Sequence, residues 1–186
     1  MTTPINPLQY LAQAELIHSE QTVNQAISSI AEQLNRDYAL DSAEAPPIVL
    51  CVMGGAVYFT GQLLPKLTFP LELDYVQATR YHDGIEGKTL KWMVRPKASI
   101  HNRSVLILDD ILDEGITLQA IVEQCRLLGA SEVKAAVLVE KNLNETKPIQ
   151  ANYVGLMVPN RYVFGCGMDV YGWWRNMPAI YALNNA

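Results

Sequence analysis

The chain has 186 residues, enough for one domain with a full hydrophobic core. Apolar residues make up 49% and charged residues 18%, which excludes a disordered chain; a net charge of -5, with 14 scattered Lys and Arg, argues against nucleic acid as a partner. Neither a stretch of eighteen apolar residues nor a basic, apolar leader occurs, so no membrane partner and no export signal is expected.

Ser19 is a plausible N-cap, and Val23, Ile27, Ile30, Ala31 and Leu34 recur at three- and four-residue steps, predicting a helix to about Arg36. The breaker DSAEAPP follows, then IVLCVM (48–53), a continuous apolar run of the kind found in strands buried on both faces, ended by Gly54 and Gly55. AVYFTGQLLPKL predicts a short helix stopped around Pro65, and alternation over 71–81 predicts the next strand. HDGIEGKTLKWMV reads as a polar, glycine-bearing mobile loop or hairpin. A strand at 104–108, a helix with Leu118, Ile121, Val122, Cys125 and Leu128 on its apolar face, and strands at 134–140 and 153–158 follow. Strands separated by helices define an α/β chain with a mostly parallel sheet flanked by helices. The tail 160–186, rich in Tyr, Trp, Gly and Asn, fits no βα unit and reads as extra structure over the strand ends. Three cysteines, Cys51, Cys125 and Cys166, with no C-x-x-C spacing, point to a reducing, cytoplasmic setting.

The segment VLILDDILDEGITLQAIV (105–122) gathers Asp109, Asp110, Asp113 and Glu114 at a strand-to-helix turn. Charges this close repel and call for a compensating ligand or metal, yet the free amides of a helix start are built to hold anions. A Walker B strand would need a phosphate loop, and the nearest match, GIEGKT at 84–89, is two residues short between its glycines and runs into strand-like LKWMV. A phospho-acceptor pocket would spread its acids over several strand ends. A plain solvated strand edge accounts for two acids near a helix start but poorly for four acids, a Gly and a Thr together. A ligand with both a diol and a phosphate satisfies both demands: carboxylates accept from ribose hydroxyls, and the amides of 113–117 meet a 5′-phosphate. Gly115 permits close backbone approach, and Thr117 adds a hydroxyl.

LIL-DD-IL-DEG-I-T resembles the 5-phosphoribosyl-1-pyrophosphate (PRPP) signature of the type I phosphoribosyltransferases, with Glu114 in place of the usual Thr. Over roughly residues 15–183 the chain is similar to the hypoxanthine-guanine (6-oxopurine) branch. The resemblance implies a single domain over 1–186, with a small hood subdomain over the strand ends built from 160–186 and the N-terminal segment. It implies ribose binding by Asp109 and Asp110, 5′-phosphate binding by Asp113, Glu114, Gly115, Ile116 and Thr117, and a general-base role for Asp113 at the purine N7. In CVMGGAVYF, Met53 and Gly54 would meet pyrophosphate, although Gly-Gly is equally an ordinary strand end. Lys141 in VLVEKN would contact the purine O6; locally it reads as surface charge. Within VPNRYVFGCGMDVYGWWRN, Tyr162 would stack on the base, Val163 would meet its edge through backbone groups, Asp169 would hold Mg2+, and Arg175 would pair with pyrophosphate. Core packing is the other reading of Tyr162 and the better one of Trp173. Asp109 and Asp110 are further candidates for the metal. A mobile loop over about 79–92, with Arg80 and Tyr81, would close over the reacting centre.

The implied activity is purine salvage: transfer of the phosphoribosyl group from PRPP to hypoxanthine or guanine with Mg2+ as cofactor, in a homodimer or homotetramer. Alternatives are a transferase preferring xanthine or another base, and a PRPP-sensing regulator with the same fold. A regulator would be expected to carry a basic face or an added domain.

Overall fold

The computed structural model describes residues 6–39, 45–80 and 90–184. The chain runs α1 (Pro7–Ala12), β1 (Ala14–His18), α2 (Glu20–Tyr38), β2 (Ile48–Val52), α3 (Val57–Leu63), a single 3-10 turn at Leu64–Lys66, and β3 (Glu72–Arg80). It continues through β4 (Leu90–Val94), β5 (Ser104–Leu112), α4 (Ile116–Leu127), β6 (Glu132–Lys141), β7 (Tyr153–Val158), β8 (Val163–Phe164) and β9 (Ile180–Leu183).

Six strands form the central sheet in the order β4-β3-β2-β5-β6-β7, all parallel except β4, which pairs antiparallel with β3. Every residue of β2 is buried because helices cover both faces. Val49, Leu106, Leu108 and Leu138 pack with Ile27, Ile30 and Leu34 of α2 and with Phe59 and Leu63 of α3. Leu50, Val105, Ile107 and Val137 pack with Leu118, Ile121, Val122 and Cys125 of α4. After β2 the chain moves outward to β3 and β4, then returns to place β5 on the other side of β2. A crevice therefore opens between the carboxyl ends of β2 and β5, the switch point at which open α/β sheets take ligands.

A second sheet, antiparallel and ordered β1-β9-β8, joins the N-terminal segment to the tail. His18 Nε2 donates to the Met157 carbonyl at 2.8 Å, tying this sheet to the end of β7. The tail reaches the crevice itself at Gly167, where φ is +104° and an added Cβ would stand 1.9 Å from the Gly55 carbonyl oxygen.

Several boundaries differ from those predicted. β5 extends four residues past the expected 108, because β6 runs alongside it as far as the Leu112–Glu140 pair. Asp109 and Asp110 thus belong to the strand rather than to the turn, and Lys141 is the last residue of β6 rather than the first beyond it. LKWMV, strand-like in the sequence, is strand β4, paired antiparallel with β3 as in the hairpin reading, and the expected loop span 79–92 takes in the end of β3 and the start of β4. Tyr81 lies outside the described residues, as does the side chain of Arg80.

Glycine at 155 lets β7 close on its neighbours: a Cβ there would sit 2.5 Å from the Leu138 carbonyl oxygen and 3.2 Å from Ile30 Cδ1 of α2. Gly155→Ala should destabilise the fold by about 1–3 kcal/mol through overpacking, read as a lower urea midpoint with the same slope.

Candidate active site

The carboxyl end of β5 carries two acids into the crevice. Asp109 is 9% exposed, and its Oδ1 accepts from the Asp110 amide at 3.0 Å; Asp110 Oδ1 accepts from the Ile111 amide at 2.8 Å. The Asp110 carboxylate also occupies the space a side chain at 55 would need, since a Cβ on Gly55 would stand 1.8 Å from Oδ2. The second glycine of the Gly-Gly pair is therefore required by the acid of the neighbouring strand. Burial, with the Asp110 charge second, raises the Asp109 carboxyl well above the ordinary carboxylate range. Burial raises Asp110 too, opposed by hydrogen bonding from Asp109 and the Ile111 amide and by the positive charge of Arg175.

A cavity of about 290 Å3 is walled by the acid pair, by Met53, Gly54 and Gly55 after β2, by Asp113, Gly115 and Thr117 at the start of α4, and by Arg175. The Met53–Gly54 peptide is cis, and the Met53 amide donates to the Val76 carbonyl at 2.8 Å. Gly115 caps α4 with φ +83°, a conformation natural to glycine, and the start of the helix lines the cavity through Gly115 and Thr117. Of the five residues expected at a 5′-phosphate, Glu114 and Ile116 do not line this cavity. They line a separate depression with Leu143, Glu145, Thr146, Lys147 and Pro148.

A second cavity, of about 250 Å3, shares Asp110, Ile111 and Asp113 with the first and adds Lys141, Tyr162, Val163, Met168 and Asp169. Lys141 Nζ donates to Asp113 Oδ2 at 2.6 Å, so the two cavities meet at an ion pair. Tyr162 is 41% exposed with its hydroxyl pushed above its ordinary pKa, by burial first and then by the Asp169 charge; Val163 is buried in β8. Asp169 and Arg175, expected to face a metal and pyrophosphate respectively, pair with each other: Arg175 Nη2 lies 2.5 Å from Asp169 Oδ1, and Nη1 donates to the Gly167 carbonyl at 2.6 Å. The Gly172 amide donates to Asp169 Oδ2 at 2.7 Å. Trp173, 53% exposed, is not the core residue that its type suggested. A wider depression of about 640 Å3 on the polar face of α2 is lined by amides, hydroxyls and two glutamates, and offers no cation to an anionic ligand.

Sequence reasoning missed Lys147. Its buried ammonium donates to the Leu112 carbonyl at 3.1 Å, the Lys141 carbonyl at 2.6 Å and Glu140 Oε1 at 2.9 Å. It clips together the end of β5, which Asp113 follows, and the end of β6, which carries Lys141. Nothing local in NETKP marks a lysine that will be buried; the signal would have been two strand ends with carbonyls to satisfy.

These features have a recognisable counterpart. A family model described as the phosphoribosyl transferase domain matches residues 13–171, and the chain belongs to this family. The chain is 28% identical over 172 residues to the hypoxanthine-guanine-xanthine phosphoribosyltransferase of Tritrichomonas foetus, covering 92% of each chain. It is 32% identical over 167 residues to the bifunctional protein TilS/HprT of Listeria innocua serovar 6a, a match that takes in 89% of this chain but only a quarter of that longer protein. Among solved structures, a hypoxanthine phosphoribosyltransferase from Staphylococcus aureus superposes with a TM-score of 0.85 at 26% identity, covering 97% of this chain and 96% of its own. The expected fold class, a mostly parallel sheet flanked by helices, is that of these relatives.

The buried acid has a measurable cost. A carboxyl whose folded pKa is raised above its ordinary value of 3.8 contributes stability below that value and loses it as pH rises through the folded value. Asp109→Asn should therefore melt higher than wild type at pH 7, by roughly 2–4 °C for each kcal/mol of penalty removed, and the difference should vanish near pH 4 in thermal melts across that range.

Proposed function

We propose that the chain transfers the 5-phosphoribosyl group of PRPP to N9 of hypoxanthine or guanine, giving IMP or GMP and pyrophosphate. The observation that carries this reading is the Lys141–Asp113 pair on the seam between the two cavities. A 6-oxopurine presents an acceptor, O6, beside a nitrogen, N7, that must shed a proton when N9 forms its bond. An ammonium 2.6 Å from a carboxylate offers the complementary donor and acceptor side by side. Adenine turns a donor toward the ammonium and would leave it unpaired, a strong basis for refusal.

In this reading the amides at the start of α4, with Gly115 and Thr117, hold the 5′-phosphate. Glu114 and Ile116 line the depression beyond. Asp109 and Asp110 fix the ribose hydroxyls, the backbone at Met53 and Gly54 meets the diphosphate, and Arg175 adds positive charge at the same mouth. Tyr162 stacks on the base, and Val163 meets its edge through the backbone. Carbon 1 of the ribose becomes cation-like as pyrophosphate leaves, so these residues act by positioning and charge placement, with no nucleophile required. Asp113 takes the N7 proton.

The donor set suits Mg2+, which binds hard oxygens and commonly uses one or two carboxylates together with substrate phosphates. Asp169 would hold it, with Asp109 and Asp110 as additional ligands, and when bound it would neutralise charge on the departing diphosphate. Cytoplasmic residence and assembly as a homodimer or homotetramer belong to the same reading. The free, buried state of all three cysteines supports a reducing compartment, and no helix among the described residues is long and apolar enough to cross a membrane.

Purified protein incubated with PRPP, Mg2+ and each of hypoxanthine, guanine, xanthine, adenine and uracil should form nucleotide from hypoxanthine or guanine and none from adenine or uracil. Product from xanthine or uracil alone would replace the substrate assignment, and PRPP binding without any transfer would replace the enzyme with a regulator. Asp113→Asn should lower kcat by about 10²–10⁴ while leaving the KM for PRPP near its original value, as steady-state kinetics would show.

A further inference from the structure

We infer that the N-terminal helix α1 is a positioning element of the base site, acting through a column of three aromatic rings; this rests on the 6-oxopurine reading above. Tyr162 lines the base-side cavity, whereas Tyr171 and Tyr10 do not. Tyr171 stacks nearly parallel to Tyr162, with centroids 6.2 Å apart at 11°, and Tyr10 packs on Tyr171 at 5.1 Å and 37°. The ring contacts run Tyr162, Tyr171, Tyr10, so the ring that would face a purine neighbours a second, which in turn neighbours a third.

Each ring is fixed by its own element. Tyr171 has φ +52°, a left-handed conformation that costs a residue with a side chain of this size free energy. Its turn is held by the Gly172 amide donating to Asp169 Oδ2 at 2.7 Å. Tyr10 sits on α1, whose start is capped by Asn6 Oδ1 accepting from the Leu8 amide at 3.1 Å. Trp174 Nε1 donates to the Pro7 carbonyl at 2.8 Å, so α1 and the turn bearing Tyr171 are joined directly. With Tyr162 41% and Tyr171 58% exposed, neither ring is immobilised by a surrounding core. Their neighbours in the column supply that restraint. A stacking ring held in one orientation loses less freedom when a base settles on it, so the column should act on base affinity and leave the chemistry at Asp113 alone.

The test is steady-state kinetics at saturating PRPP with guanine or hypoxanthine varied, in Tyr10→Ala, Tyr10→Phe and Leu8→Ala, the last an exposed residue of the same helix. Tyr10→Ala should raise the KM for the base about three- to tenfold, the range expected for losing one aromatic pair, with kcat and the KM for PRPP unchanged. Tyr10→Phe, which keeps the ring, and Leu8→Ala should match wild type. A base KM unaltered in Tyr10→Ala, or a loss shared by kcat and both KM values, would overturn the inference while wild-type turnover upheld the function. A wild type that turned over neither purine would overturn the function and the inference together.

Discussion

The acid pair at the carboxyl end of β5 is the constraint around which the molecule is arranged. Two neighbouring carboxyls, one of them buried, sit where apolar residues would stabilise the sheet more. They dictate a glycine at 55, whose absent side chain is the volume that the Asp110 carboxylate fills. They lie beside Arg175, brought from the far end of the chain by a tail that presses Gly167 against Gly55. Strand order, glycine placement and the return of the tail all serve one electrostatically costly point, as expected where function and stability compete.

Around that point the charges are already paired. Arg175 is bound to Asp169, Lys141 to Asp113, and Lys147 to Glu140. The first two pairs hold flexible side chains at the walls of the two cavities. On the proposed reading, a diphosphate would exchange one ionic partner of Arg175 for another, without gathering dispersed side chains from water. Exchange of this kind contributes less gross affinity than pairing free charges, and more orientation.

The central sheet was legible because buried parallel strands write themselves as apolar runs: IVLCV, the stretch from Val105 to Leu108, and the strand from Lys134 to Glu140 all stand where the sequence placed them. The long helix was legible from its apolar stripe and from the Ser19 cap, whose Oγ accepts from the Thr22 amide at 3.2 Å. Strand ends were less clear, since Asp109 and Asp110 look like turn residues until the pairing with β6 keeps them extended. The short strands β1, β8 and β9 were not legible one by one, because each is defined by a partner distant in sequence. At the site, the acidic turn and the segment from Tyr162 to Arg175 carried enough pattern to be singled out. Lys147 carried none, as its place follows only from what lies across from it in space, and the need for glycine at 55 was visible only once Asp110 was opposite it.

The Lys147 clip bears on how such a chain can diverge. The connection from β6 to β7 carries this ammonium, which holds the main chain at the ends of β5 and β6 beside the Asp113–Lys141 couple. Residues 143–146 form the span between this anchor and the Asn142 amide, which donates to the Val158 carbonyl at 2.8 Å. Insertions, deletions or wholesale replacement in that span can accumulate without disturbing the paired side chains, which makes it a natural place to graft new recognition onto the scaffold.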